Sequence, residues 1–196
     1  MTVEPIFVIV LIGLFVWSFA EAFVWPVVPD AAMAVVAFLV PEWAIASVLA
    51  LAVGSVVGGV LGVALGRAGR SWPLPMVTGR MQQLVAEWLD AGAFGLVYQP
   101  LTAVPYKAFV VEAAERPIGL AAWGWATALF RGARMTVIAA VAVGTAAMLN
   151  RWVPAGSLAV VRTAVVAGAI ALFLVGWRFA FRSWQRREKR EALHSG

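Results

Sequence analysis

The sequence predicts an all-α integral membrane protein. It has two inverted-topology halves, each a re-entrant hairpin plus a transmembrane helix, and a closing C-terminal transmembrane helix. Three observations predict this. The 196 residues are 63% hydrophobic and 13% charged, with a mean hydropathy of +0.89, where a soluble domain averages roughly half apolar and a quarter charged. Three apolar stretches, 44–66, 118–149 and 158–177, reach the about 20 residues that a bilayer crossing needs. Two further apolar regions, 6–40 and 91–115, are each interrupted by a polar element that carries two prolines.

The first interruption is EAFVWPVVPD, with Glu21, Pro26, Pro29 and Asp30, and the second is QPLTAVPYK, with Pro100, Pro105 and Lys107. Proline removes a backbone donor and clashes with the preceding turn, so each segment should break there. The arms 6–20 and 31–40 are short for full crossings. Irregular backbone at membrane depth is tolerated only where protein or a wet cavity surrounds it. Both regions are therefore expected to be re-entrant hairpins, and the alternative is a pair of ordinary spans with proline kinks.

The remaining elements follow in order. Stretch 44–66 carries no charge and repeats a small residue every fourth position: Ala46, Ala50, Gly54, Gly58, Gly62 and Gly66. Such stripes let helices approach closely. Segment 80–90 is amphipathic, with Met81, Leu84, Val85, Trp88 and Leu89 at helical spacing, as in a helix lying at the interface. Stretch 118–149 repeats the small-residue stripe at Gly124, Ala128, Gly132, Thr136, Ala140 and Gly144, and holds Arg131 and Arg134 in its middle. Arg162, near the start of 158–177, is expected to snorkel from its span. Trp25, Trp43, Trp72, Trp123, Trp125 and Trp152 are expected to anchor at the interfaces. Together, 1–177 forms one membrane domain and 178–196 a basic tail, where Trp177, Phe181 and Trp184 make an apolar stripe opposite Arg178, Arg182 and Arg186, as in a helix that runs from the last span out into the headgroups.

Lys and Arg near the spans set orientation. The tail is strongly basic and is placed in the cytoplasm, which puts the 150–157 link outside, the 67–116 region inside and the 41–43 link outside. The N-terminus then lies outside. Residues 2–5 hold Glu4 and no basic residue, so no signal-peptide layout is present.

Composition also removes classes of chemistry. There is no cysteine, and the single histidine, His194, lies in the tail. Thiolate, Ser-His and His-metal catalysis inside the membrane are thereby excluded. Neither an enzyme nor a cofactor or metal is expected. The net charge of +5 gathers behind a hydrophobic span, where it meets anionic lipid headgroups rather than nucleic acid. Membrane lipids are the expected partners, and a homo-oligomer is compatible with the sequence.

A charge at a helix centre in the bilayer costs roughly 2.5–3.5 kcal/mol on insertion scales. Glu21, Asp30, Lys107, Arg131 and Arg134 are all placed there. Arg131 and Arg134, three apart, share a helix face. In one reading the acids neutralise the cations and pin the hairpins. In the other, these residues line a path for a proton or an anionic headgroup. Inverted repeats with broken helices near the midplane are the architecture of secondary transporters.

The motifs carry a resemblance. GSVVGGVLGVALGRAGR, 54–70, resembles the Gly-rich segment of the DedA family, also called the VTT-domain or SNARE-associated Golgi protein family, and is nearest its short YqaA-like branch. PVVPD resembles that family's first re-entrant motif, QPLTAVPYKAFVVEAAERPIGL its second, and ATALFRGAR its paired-arginine segment. Asp30 stands where Glu is usual, Val63 where Tyr is common, 112–114 where an Ala-Gly pair is usual, and Phe130 where Gly precedes the first arginine. The resemblance implies a bacterial inner-membrane flippase or scramblase that moves polyprenyl phosphate or a phospholipid between leaflets. It casts Glu21 and Asp30 as hairpin acids, Lys107 as the second-hairpin cation, and Arg131 and Arg134 as the helix arginines. Proton coupling is also implied. The rival expectations are a proton-coupled small-solute or ion transporter on the same scaffold and a non-transporting membrane scaffold.

Overall fold

A computed structural model describes residues 4–23, 29–70, 77–102 and 104–194. All the regular structure among them is helical. The α-helices are α1 (Pro5–Ala20), α2 (Pro29–Leu39), α3 (Ala44–Arg67), α4 (Gly79–Leu89), α5 (Tyr106–Ala114), α6 (Leu120–Trp152) and α7 (Ala155–His194). Two 3-10 segments, Pro41–Trp43 and Gly92–Leu101, join them. Three apolar stretches, Pro41–Arg67, Leu120–Trp152 and Ala155–Gly176, are long enough to cross a membrane, whereas α1 and α2 are shorter apolar helices.

Proline sets several boundaries. Pro5, Pro29 and Pro41 open helical segments, where a missing N–H costs nothing. Pro105 precedes α5, and Pro100 lies inside the second 3-10 segment. Pro26, Trp25 and Trp72 lie outside the described residues.

α3 is the axis of the fold, and its glycines record what packs on it. A Cβ at Gly54 would strike the Phe15 carbonyl of α1, and one at Gly58 would lie 2.5 Å from the Phe19 carbonyl. At Gly62 it would lie 2.6 Å from Val110 of α5, and at Gly66 2.6 Å from Ala114. Positions on α1 and α5 thus rise together with positions on α3, so both run parallel to it. α1 covers the first part of α3 and α5 the last part. The C-terminal end of α1 and the N-terminal end of α5 approach each other midway along it. The opposite face of α3, Ile45, Leu49, Val53, Val57 and Leu61, is exposed.

α6 runs antiparallel to α3, with Gly124 against Val56 and Val60 and Arg131 reaching Ser55. Its inward face is Trp123, Thr127, Arg131, Met135 and Ala139. Beyond Gly124, the second small-residue stripe does not serve as a packing face. Nothing lies within 4 Å of a Cβ at Gly132 or Gly144, and Thr136 and Ala140 are exposed. The neighbouring file turns inward instead, because Arg131 and Thr127 carry polar groups that need partners, which they find on Glu21, Ser55 and Tyr106. Trp123, expected at an interface, is fully buried, while Trp125 and Trp152 are exposed.

Two apolar clusters result. One gathers Leu14, Met33, Ala37, Leu51, Met135 and Ala139 from α1, α2, α3 and α6. The other gathers Val85, Leu89, Leu96, Phe109, Val110 and Trp123, from α4, the second 3-10 segment, α5 and α6. Arg116 ties α5 to α4 through Glu112 at 2.8 Å and the Ala86 carbonyl at 3.0 Å. Arg67 donates to the carbonyls of Ala113 in the last turn of α5 and of Arg116 and Ile118 just beyond it. Cations there satisfy carbonyls the helix leaves free.

α7 carries the closing span on into the basic tail without a break. The closing span and the first seventeen residues of the tail are one continuous helix of 40 residues. No Gly or Pro follows Gly176 before Ser195, and the intervening Arg, Lys, Glu and Gln are good helix formers. Arg162 donates to Asn150 Oδ1 near the end of α6 at 2.9 Å. The side chains of Trp177, Phe181 and Trp184 lie outside the described residues.

Candidate functional site

Between the two apolar clusters lies a layer of polar side chains. Glu21, the residue capping the C-terminal end of α1, pairs with Arg131 of α6. A carboxylate at a helix C-terminus opposes the macrodipole, and Arg131 supplies the compensating charge. Arg131 is 2% exposed. Its Nε donates to Ser55 Oγ at 3.1 Å, and its guanidinium lies 4.2 Å from the centre of the Tyr106 ring. Ser55 and Ser18 share a hydrogen bond of 2.7 Å, and Ser18 donates to the Leu51 carbonyl at 2.8 Å.

Tyr106 opens α5 and completes the layer. Its hydroxyl lies 3.0 Å from Thr127 Oγ1 and 3.4 Å from the Ser55 carbonyl, in a notch left by Gly59. Its ring stacks on Trp123, with centroids 6.3 Å apart. One connected network therefore joins α1, α3, α5 and α6. Cation–π contacts strengthen when desolvated, and a buried pair holds only where its remaining hydrogen bonds are made.

Asp30 and Arg134 form a second, separate pair at 2.9 Å. Asp30 lies in the first turn of α2, where the helix dipole favours an acid. One oxygen meets Arg134, and the other, Oδ1, is buried without a partner among the described residues. Arg134 is partly exposed. This pair borders a groove of about 490 Å³ between α2, α6 and α7, within the range of ligand pockets. Its other walls are almost wholly apolar, including Phe38, Ile138, Val166 and Phe173. Val137, Val141 and Ile170, also in the walls, are exposed, so the groove is open at its side.

The five ionisable residues singled out by sequence thus fall into three places. Glu21 and Arg131 share the central network, Asp30 and Arg134 share the groove, and Lys107 stands apart from both pairs. Lys107 is 1% exposed, and its Nζ has no hydrogen-bond partner among the described residues. Sequence reasoning assigned no role to Ser18, Ser55, Tyr106 or Thr127. Hydroxyls are common enough in membrane helices to carry little signal. The available clue was Tyr106 beside Lys107 and Ser55 within the glycine run.

No group of three or more His, Asp or Glu that could hold a metal occurs among the described residues. Comparison with protein-family models, curated proteins and solved structures returns no match.

Proposed function

We propose that this protein is a multi-pass membrane flippase or scramblase of the DedA/VTT type, moving a phosphate-bearing lipid, a polyprenyl phosphate or a phospholipid, between leaflets. The observation that carries this reading is the Asp30–Arg134 pair bordering a side-open groove whose walls are otherwise apolar. An amphiphile needs both parts: charge for its head and an apolar flank that need not close around its chain. A solute site would enclose its ligand.

In this reading, regions 6–40 and 91–115 are opposed re-entrant hairpins of an inverted repeat, and their inner arms are α1 and α5. The meeting of α1 and α5 midway along α3 supports that arrangement. The head crosses beside the ion pairs, exchanging with Glu21 and Asp30 for the arginines, while its chain stays in the groove and the surrounding bilayer. Protonation of Glu21 or Asp30 would release an arginine and couple movement to a proton gradient. The basic end of α7 lies in the cytoplasm, against anionic headgroups.

The test is reconstitution into vesicles with labelled phosphatidylethanolamine and, separately, with a labelled polyprenyl phosphate. Wild type should translocate one of them, and folded Asp30→Asn and Arg134→Gln should lose at least tenfold in rate. No translocation of either lipid by folded wild type overturns the reading in favour of a solute transporter. Equal rates with and without a pH gradient overturn the coupling alone.

A further inference from the structure

Arg131 and Arg134 are each neutralised by a carboxylate. Lys107 is buried more deeply than Arg134, and no carboxylate among the described residues lies within ion-pair distance of it. A buried ammonium without an opposite charge is among the costliest groups a fold can hold, so buried lysines are almost always paired.

Its surroundings favour an anion. Lys107 is the second residue of α5, a helix of nine residues whose N-terminal end carries no side-chain cap. The Ala108 N–H there already donates to the Pro105 carbonyl at 3.0 Å, and the end offers its remaining N–H groups and the positive pole of the helix dipole. Earlier in the chain two more buried polar atoms have no partner among the described residues, Gln99 Oε1 in the second 3-10 segment and Thr102 Oγ1 just after it. A threonine hydroxyl can donate, and a glutamine amide presents donors when rotated. Lysine binds phosphate as a compact point charge. The paired arginines gain less from a further anion, because each already faces a carboxylate.

We infer that Lys107 and the first turn of α5 form a binding site for a phosphate group. That group is either the head of a lipid or free phosphate. The lipid source rests on the translocation reading, whereas the phosphate site stands without it.

The experiment uses the full chain in detergent, with inorganic phosphate in one arm and dioctanoyl phosphatidylglycerol in the other. Dioctanoylglycerol, which lacks the phosphate, is the control. At about a hundredfold excess over Kd, the unfolding midpoint of wild type should rise by about 5–10 °C with the phosphate-bearing ligand and stay unchanged with the control. Lys107→Met should show no rise and should unfold at a higher temperature than unliganded wild type, because an uncompensated buried charge is gone. Lys107→Arg should keep part of the rise. A rise with phosphatidylglycerol alone assigns the site to a lipid head, and an equal rise with inorganic phosphate assigns it to the free ion.

A second measurement needs no variant. The chain has two lysines, Lys107 and Lys189, so amine acetylation read by mass spectrometry uses Lys189 as an internal reference. The ligand should slow labelling of Lys107 at least tenfold and leave Lys189 unchanged. No midpoint rise in wild type, an equal rise in Lys107→Met, or unchanged labelling of Lys107 would each overturn the site. Phosphate binding without lipid translocation would overturn the lipid reading alone.

Discussion

At the scale of the residue, Arg131 carries the most structural weight. It touches Glu21 of α1, Ser55 of α3 and the Tyr106 ring of α5, so one side chain on α6 holds both of the regions read as hairpins. Removing one partner of a buried pair strands the other, at a cost of about 3–5 kcal/mol. Glu21→Gln and Arg131→Met should each unfold with losses of that order. The double variant should lose clearly less than their sum, as read by denaturation in detergent micelles. Additive losses would mean the pair is not coupled. Tyr106→Phe keeps the ring under the guanidinium and removes hydroxyl contacts to Thr127 and Ser55, which should cost about 1 kcal/mol.

At the scale of the element, the two glycine-bearing helices differ although their sequence stripes look alike. α3 uses its stripe: a Cβ at Gly58 would meet the Phe19 carbonyl at 2.5 Å and its Cα at 3.0 Å, both backbone atoms that cannot rotate away. Gly58→Ala should therefore lower stability by about 1–3 kcal/mol. At Gly132 of α6 nothing lies within 4 Å, and alanine is the better helix former by about 1 kcal/mol. Gly132→Ala should leave the unfolding midpoint unchanged or raise it. Equal effects at the two positions would contradict the packing described for α3 and α6.

At the scale of the whole molecule, α7 stands out by its length and light attachment. Its 40 residues span about 60 Å at 1.5 Å per residue, twice the about 30 Å hydrocarbon core, so a long basic segment projects beyond any bilayer its apolar part crosses. The membrane-length window of α7 is unburied, and its contact with α2 and α6 encloses the groove on one side. Ala169 lies in that wall. Ala169→Trp should fill the groove and cut lipid translocation severalfold while leaving unfolding unchanged. Orientation is testable because the chain has no cysteine of its own. Single cysteines at the exposed positions Ser157 and Glu115, beyond opposite ends of α6, should label from opposite sides of sealed cells, Ser157 from the outside. Labelling of both from one side would overturn the arrangement.

What the sequence determined by itself was set by local physics. Hydropathy and length marked the three long apolar helices, and proline marked segment starts at Pro29 and before Tyr106. The 3.6-residue period placed the apolar face of α4 at Met81, Val85 and Leu89. Charge in an apolar setting pointed to Glu21, Asp30, Lys107, Arg131 and Arg134. Only the tertiary structure decided which acid meets which arginine, because partners 110 residues apart in the chain, such as Glu21 and Arg131, are joined by packing and not by pattern. It also decided which of two neighbouring files on α6 turns inward, since small residues permit close approach whereas buried polar groups require partners. Lys107 shows the division most sharply: its charge is legible in the chain, and its isolation from every described carboxylate exists only in the fold.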